Sequence, residues 1–232
     1  MPVRFVYFDL DDTLLDHRRA EARALADVYA AHRAAFAPHP LAHVQATYHT
    51  HNAALWRDYA AGRLTREDVQ HLRFARTLAT LGLTTLDPDA LGEHYLARYA
   101  EHWSFLDGAA TAFHAVADRF PVGLLTNGFA EIQHAKLDRF PDLRDRAQVI
   151  VISEEVGYLK PHPKLFEEAT RRAGTAPEAI LYVGDSYHTD VEGARRAGWQ
   201  VAWYTTDDRR DEYVFRFHDW HDLLAHLDTF GG

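Results

Sequence analysis

Two carboxylates stand two residues apart, Asp9 and Asp11, where an apolar run ends. Val3-Arg4-Phe5-Val6-Tyr7-Phe8 leads directly into Asp9-Leu10-Asp11-Asp12-Thr13. One aspartate of such a pair can attack an electrophile while the other moves protons. Three further groups follow in order: Leu124-Leu125-Thr126-Asn127-Gly128, then Lys160-Pro161, then Val183-Gly184-Asp185-Ser186 with Asp190. Singly, each has an ordinary explanation. Asp11-Asp12 serves as a turn or helix cap, Thr126-Asn127-Gly128 as a turn, Lys160 as a solvated loop lysine, and Gly184-Asp185 as a strand-end turn. Together they stand in one order, three of them at the ends of expected strands, and that combination carries chemistry.

These residues need a scaffold that brings them to one edge. Residues 3–9 read as a buried strand, and the carboxyl edge of an open α/β sheet is where ligands bind. Apolar runs at 122–125, 148–152, 179–183 and 201–204 alternate with helical patterns at 109–119, 130–139, 163–173 and 189–197. That alternation implies βαβ units and a parallel sheet covered on both faces. Between the first strand and the rest lies a stretch with no convincing strand. Helical patterns run from Arg18 to about Phe36 and over about 41–60, 65–81 and 88–103. Pro38 and Pro40 interrupt them, Thr65 and Asp87-Pro88 signal starts, and Gly62 and Gly82 signal ends. The expected fold class is therefore α/β: a doubly wound parallel-sheet core, residues 1–16 and 104–232, with an all-helical cap domain, residues 17–103, inserted after the first strand. An insertion at that edge can close over a substrate and exclude water. The last stretch holds a basic turn, Arg209-Arg210, and an amphipathic helix from Trp220 to Leu227.

Composition narrows the chemistry. The chain has 232 residues, of which 47% are hydrophobic, enough for a packed core. Its net charge of −9, without a basic block, argues against a nucleic acid polymer or an anionic membrane surface as partner. An acidic protein that binds phosphate must supply positive charge locally, and a metal ion and a lysine would do so. There is no cysteine, which excludes disulfide and thiolate chemistry. No apolar run approaches the ~18 residues of a membrane span, and no basic-then-apolar leader is visible, so a cytoplasmic location is expected. The sixteen histidines are scattered and give no zinc-like pair. Only His17 and His188 adjoin the motifs.

The four motifs resemble the signature of the haloacid dehalogenase superfamily, a Rossmann-like hydrolase fold. The resemblance covers the core, and the cap in its position and helical character. It implies that Asp9 is the nucleophile and Asp11 the general acid/base, the second aspartate being the mark of the phosphatases in that superfamily. It implies that Thr126, with the Asn127 and Gly128 amides, binds the transferring phosphoryl group, and that Lys160 offsets the charge of Asp9 and phosphate. By the same resemblance Mg²⁺ is the cofactor. Asp9 and Asp185 would ligate it directly, Asp11 through its backbone carbonyl, and Asp190 directly or through water. The chemistry suits these types: hard oxygen ligands select Mg²⁺, and a cation, an ammonium and fixed amide dipoles let two anions meet. Asp11 would protonate the leaving alkoxide, then deprotonate the attacking water.

Thr126-Asn127-Gly128-Phe129 with Gln133 and Lys136-Leu137, followed by Ile152 to Gly157, looks like the bacterial nucleotidase-like branch of the family. That branch implies a small phosphate ester as partner, with a pyrimidine nucleoside 5′-monophosphate as the favoured substrate. In the cap, Tyr48, Trp56, Arg57, Tyr59, Tyr95 and Trp103 are candidates to stack on a base or bind a sugar, against the ordinary role of aromatics as core. Two alternatives remain open at this point. One is a sugar-phosphate phosphatase or phosphomutase on the same core. The other is a phospho-accepting signalling module, although receiver domains lack a cap and keep no acid/base two residues after the acceptor. The leaving group and the oligomeric state are not readable from the sequence.

Overall fold

The computed structural model describes residues 1–207 and 214–230. The chain divides into two compact units, Met1–Asp16 with Ser104–Gly232, and His17–Trp103. The basic turn at Arg209-Arg210 lies outside the described residues.

The first unit is a six-stranded parallel sheet in the order β3-β2-β1-β4-β5-β6. Its strands are β1 (Phe5–Phe8), β2 (Val122–Thr126), β3 (Ala147–Ile152), β4 (Ile180–Gly184), β5 (Gln200–Tyr204) and β6 (Phe215–Phe217). β1 lies at the centre, parallel to β2 on one side and β4 on the other, with Phe8 opposite Leu124 and Val183. All four β1 side chains are buried, as expected of a strand covered on both faces. Its alternation still sorts them. Val6 and Phe8 join a cluster with Phe113, Val116, Leu137 and Leu223, while Phe5 and Tyr7 join one with Leu165, Phe166, Tyr182 and Trp199. Gly123 on β2 is required by this packing, because a Cβ there would lie 2.5 Å from the Tyr7 ring. The chain winds outward in both directions from the β1–β4 pair. Ligands of doubly wound sheets bind at that reversal of strand order, outside the strands' carboxyl ends. β6, only three residues long, is the strand that the sequence pattern did not announce.

The second unit is all helical: α1 (His17–Ala31), α2 (Arg33–Phe36), α3 (Leu41–Ala60), α4 (Arg66–Leu81) and α5 (Pro88–Glu101). α1 packs on α5, and α4 packs on both α3 and α5. The first expected helix is broken at His32, whose backbone leaves the helical region. Thr65 and Asp68 form a reciprocal capping box at the start of α4, and Gly82 closes it in the left-handed conformation at φ 67°. Asp87 caps α5, with Pro88 in its first turn. No helix of the described residues is long and apolar enough to cross a membrane.

In the first unit, α6 (Ala109–Ala117), α7 (Ala130–Arg139), α8 (Pro141–Arg146), α9 (Ser153–Val156), α10 (Pro163–Ala173), α11 (Glu192–Arg196) and α12 (Trp220–Phe230) complete the layers. α8 and α9 are short and carry little periodicity, so no pattern foretold them. The helix expected at 189–197 begins instead as one wide π turn, Tyr187–Val191, before α11.

Candidate active site

β1 and β4 end side by side, so the residues that follow them meet. Asp9, Asp185 and Asp190 each offer a carboxylate oxygen, and these oxygens lie within 4.8 Å of one another. Among the described residues this is the grouping that could hold a metal, and it contains no histidine. His17 bonds Tyr99 at 2.7 Å and His188 pairs with Glu192 at 3.0 Å.

Lys160 is buried in the middle of the acidic group. Its ammonium has three hydrogens and three partners: Asp9 Oδ1 at 2.7 Å, Asp190 Oδ1 at 2.8 Å and the Tyr182 hydroxyl at 2.8 Å. The Tyr182 hydroxyl in turn donates to the Leu125 carbonyl at 2.9 Å. Asp190 is fully buried, and its Oδ2 accepts from the Ser186 amide at 2.9 Å. A Cβ at residue 184 would lie 2.5 Å from that oxygen, so glycine is needed there.

One buried ammonium among three carboxylates leaves negative charge uncompensated. Burial, followed by repulsion from Asp190, pushes the Asp9 carboxyl up to about 7 despite Lys160. Burial and repulsion from Asp190 and Asp9 push Asp185 up to about 8. Burial alone would lower the Lys160 ammonium, but Asp190 and Asp9 outweigh it and the net shift is upward. A divalent cation among hard oxygens would relieve this repulsion, so the donor set fits Mg²⁺.

The Thr126–Gly128 loop is tied to Lys160 through backbone groups. The Asn127 side chain donates to the Lys160 carbonyl at 3.1 Å and accepts from the Lys160 amide at 2.8 Å. Thr126 is buried at the end of β2. The Gly128 amide, expected to face phosphate, donates to the Ser153 hydroxyl at 3.1 Å.

Asp11 is placed differently from Asp9. Leu10, Leu14 and Leu15 anchor its loop in the core, and Asp12 sits at φ 58° to close the turn. The Asp11 carboxylate accepts from Lys136 Nζ at 2.6 and 2.7 Å, and from Gln133 Nε2 at 3.0 Å. Asp11 was expected to donate a proton; here it accepts three hydrogen bonds from α7.

Sequence reasoning gave no role to Tyr182, Ser153, Gln133 or Lys136. Tyr182 stands out only as a tyrosine in an otherwise aliphatic strand, and Gln133, Lys136 and Ser153 only as residues of the run that resembles the nucleotidase-like branch. In the helical unit, Tyr48 is fully buried against Phe74 and Tyr95, ring centroids 5.1 and 5.2 Å away. Trp56, Tyr59 and Trp103 are half-buried and Arg57 is exposed.

Comparison with known proteins agrees with this geometry. Residues 3–198 match the sequence model of the haloacid dehalogenase-like hydrolases. The chain is 32% identical over 206 residues to the pyrimidine 5′-nucleotidase YjjG of Escherichia coli, covering 88% of this chain and 87% of that one. It is 28% identical to the pyrimidine 5′-nucleotidase PynA of Streptococcus pneumoniae, covering 97% and 95%. The solved structure of the HAD-hydrolase YfnB of Bacillus subtilis, bound to magnesium, superposes with a TM-score of 0.82 at 28% identity, covering 98% of this chain and all of that one. A family model matched over residues 3–198 and a relative 32% identical over 88% of the chain lead to one assignment: the chain belongs to the haloacid dehalogenase-like hydrolases.

Proposed function

We propose that this hydrolase is a Mg²⁺-dependent phosphomonoesterase working through an aspartyl-phosphate on Asp9. The observation that carries the reading is the meeting of Asp9, Asp185 and Asp190 around the Lys160 ammonium at the ends of β1 and β4. Asp9 and Asp185 would hold the metal, joined by the Asp11 carbonyl. Asp190, already bonded to Lys160 and the Ser186 amide, would act directly or through water. When bound, the cation supplies charge neutralisation at the transferring oxygens.

In this mechanism the second Asp9 oxygen attacks phosphorus and the bond to the leaving oxygen breaks. Asp11 gives that oxygen a proton. Asp11 then takes a proton from a water that attacks the acyl-phosphate, releasing phosphate and restoring Asp9. Lys160 holds Asp9 in place throughout and offsets the charge of the phosphoryl group, whose oxygens Thr126 and the Asn127 amide steady. Residues 17–103 would serve as the cap that selects the leaving group, with Trp56, Arg57 and Trp103 as its candidate contacts. Tyr48, enclosed between Phe74 and Tyr95, has a packing role that accounts for its burial.

The substrate class we favour is a pyrimidine nucleoside 5′-monophosphate, supported by the similarity to YjjG and PynA. Phosphate release from a panel of nucleotides and sugar phosphates, with Mg²⁺ or EDTA, tests both levels. Asp9→Asn is expected to lower Mg²⁺-dependent release by at least about 10³-fold. Release that is insensitive to EDTA or to Asp9→Asn would defeat the mechanism, and a sugar phosphate at the head of the ranking would replace the substrate.

A further inference from the structure

One buried ammonium of the α/β unit does not belong to the three-carboxylate group. Lys136 on α7 is 2% exposed, and a buried charge persists only where it is paired. Its Nζ donates to both Asp11 oxygens, at 2.6 and 2.7 Å. Gln133, three residues earlier and on the same helix face, is equally buried. Its Nε2 donates to Asp11 Oδ2 at 3.0 Å and to the Asn127 carbonyl at 3.1 Å.

Two features keep this pair from moving freely. Leu137 anchors α7 in the core beside Phe113 and Leu143. Gln133 packs directly on Gly128, where a Cβ would fall 2.2 Å from Nε2. The amide thus spans from Asp11 to the backbone of the Thr126–Gly128 loop. Three hydrogen bonds from one rigid helix leave a carboxylate little freedom about its two torsions, and proton transfer depends on that direction.

We propose that Lys136 and Gln133 are positioning residues that set the direction of the Asp11 carboxylate, with Gln133 coupling it to the loop that steadies the phosphoryl group. The proposal rests on the reading of Asp11 as the acid/base. Both residues act through Asp11, so their loss is felt where proton transfer matters and not elsewhere.

Leaving-group dependence separates this role from a merely structural one. kcat/KM includes the steps up to departure of the leaving group. p-Nitrophenolate departs with little need of a proton, whereas an alkoxide requires one. Lys136→Met is expected to lower kcat/KM for a nucleoside 5′-monophosphate by about 10- to 100-fold, and for p-nitrophenyl phosphate by less than about 3-fold. Gln133→Leu, which keeps the ammonium, is expected to show the same selectivity at a smaller size and serves should Lys136→Met fail to fold. On phenyl phosphate, adding Lys136→Met to Asp11→Asn is expected to cost nothing further. Equal losses on both substrates, or multiplying losses in the double variant, would overturn the proposal while the wild-type enzyme still turned over. A wild type that releases phosphate from no ester would instead overturn the phosphatase reading and this proposal with it.

Discussion

Both units of this molecule bury charged side chains, and they do so with opposite bookkeeping. In the helical unit, Glu21 and Arg73 are each 7% exposed. Glu21 accepts from His49 at 3.1 Å and Asn52 at 3.4 Å. Burial works against the Arg73 cation, but Tyr48, Tyr95 and Glu21 outweigh it. One carboxylate there is accompanied by one guanidinium and by the side chains of His49 and Asn52. In the α/β unit, Asp9 and Asp190 share the ammonium of Lys160, and an Asp185 oxygen lies within 4.8 Å of theirs. A balanced buried charge is explained by the fold that encloses it. An unbalanced one is costly to the fold and marks a place completed by a ligand.

The comparison breaks most readily at Lys160. Replacing it by methionine leaves two buried carboxylates without their ammonium, an effect of about 3–5 kcal/mol on unfolding at neutral pH. Urea titration at pH 7 and pH 5 checks this, and the deficit is expected to shrink at pH 5, where the Asp9 carboxyl is protonated. A full deficit at pH 5 would show that Lys160 acts by packing.

Metal binding sharpens the same contrast. Asp9 and Asp185, raised to about 7 and about 8, bind protons more tightly folded than unfolded. Their contribution to stability is therefore complete below the ordinary value of 3.8 and is lost as pH rises through 7 to 8. Between pH 5 and pH 8 the metal-free protein loses stability through these groups. Mg²⁺ competes with those protons, so millimolar Mg²⁺ is expected to raise Tm by several degrees at pH 8 and by much less at pH 5. An equal rise at both pH values would point to a cation site elsewhere.

The smallest expected effect belongs to the helical unit. Thr65→Ala removes the side-chain acceptor of the α4 capping box and should cost about 1 kcal/mol with kcat/KM unchanged. Thermal unfolding and steady-state kinetics read the two halves of that statement. A change in kcat/KM would mean that the cap of α4 matters to the chemistry.

Much of this architecture was legible in local patterns. The apolar run ending at Asp9, the breaks at Gly62 and Gly82, and the caps at Thr65 and Asp87 all correspond to elements of the structure. β6, α8 and α9 escaped because three to six residues carry no usable period. Lys136 and Gln133 were visible only as residues shared with a family branch. Their contact with Asp11 spans more than 120 positions of sequence, and no local pattern encodes it.

The sequence by itself determined where the carboxylates stand along the chain. Burial on both faces makes a strand uniformly apolar, so the first charged residue marks its end, and this is a local property. Tertiary structure alone decided which cation each carboxylate meets. Asp9 and Asp190 meet Lys160 because β1 and β4 are neighbours in the sheet, whereas Asp11, two residues on, turns to Lys136 on α7. Partner choice follows from strand order and helix packing, and those are settled only when the whole chain has buried its apolar surface.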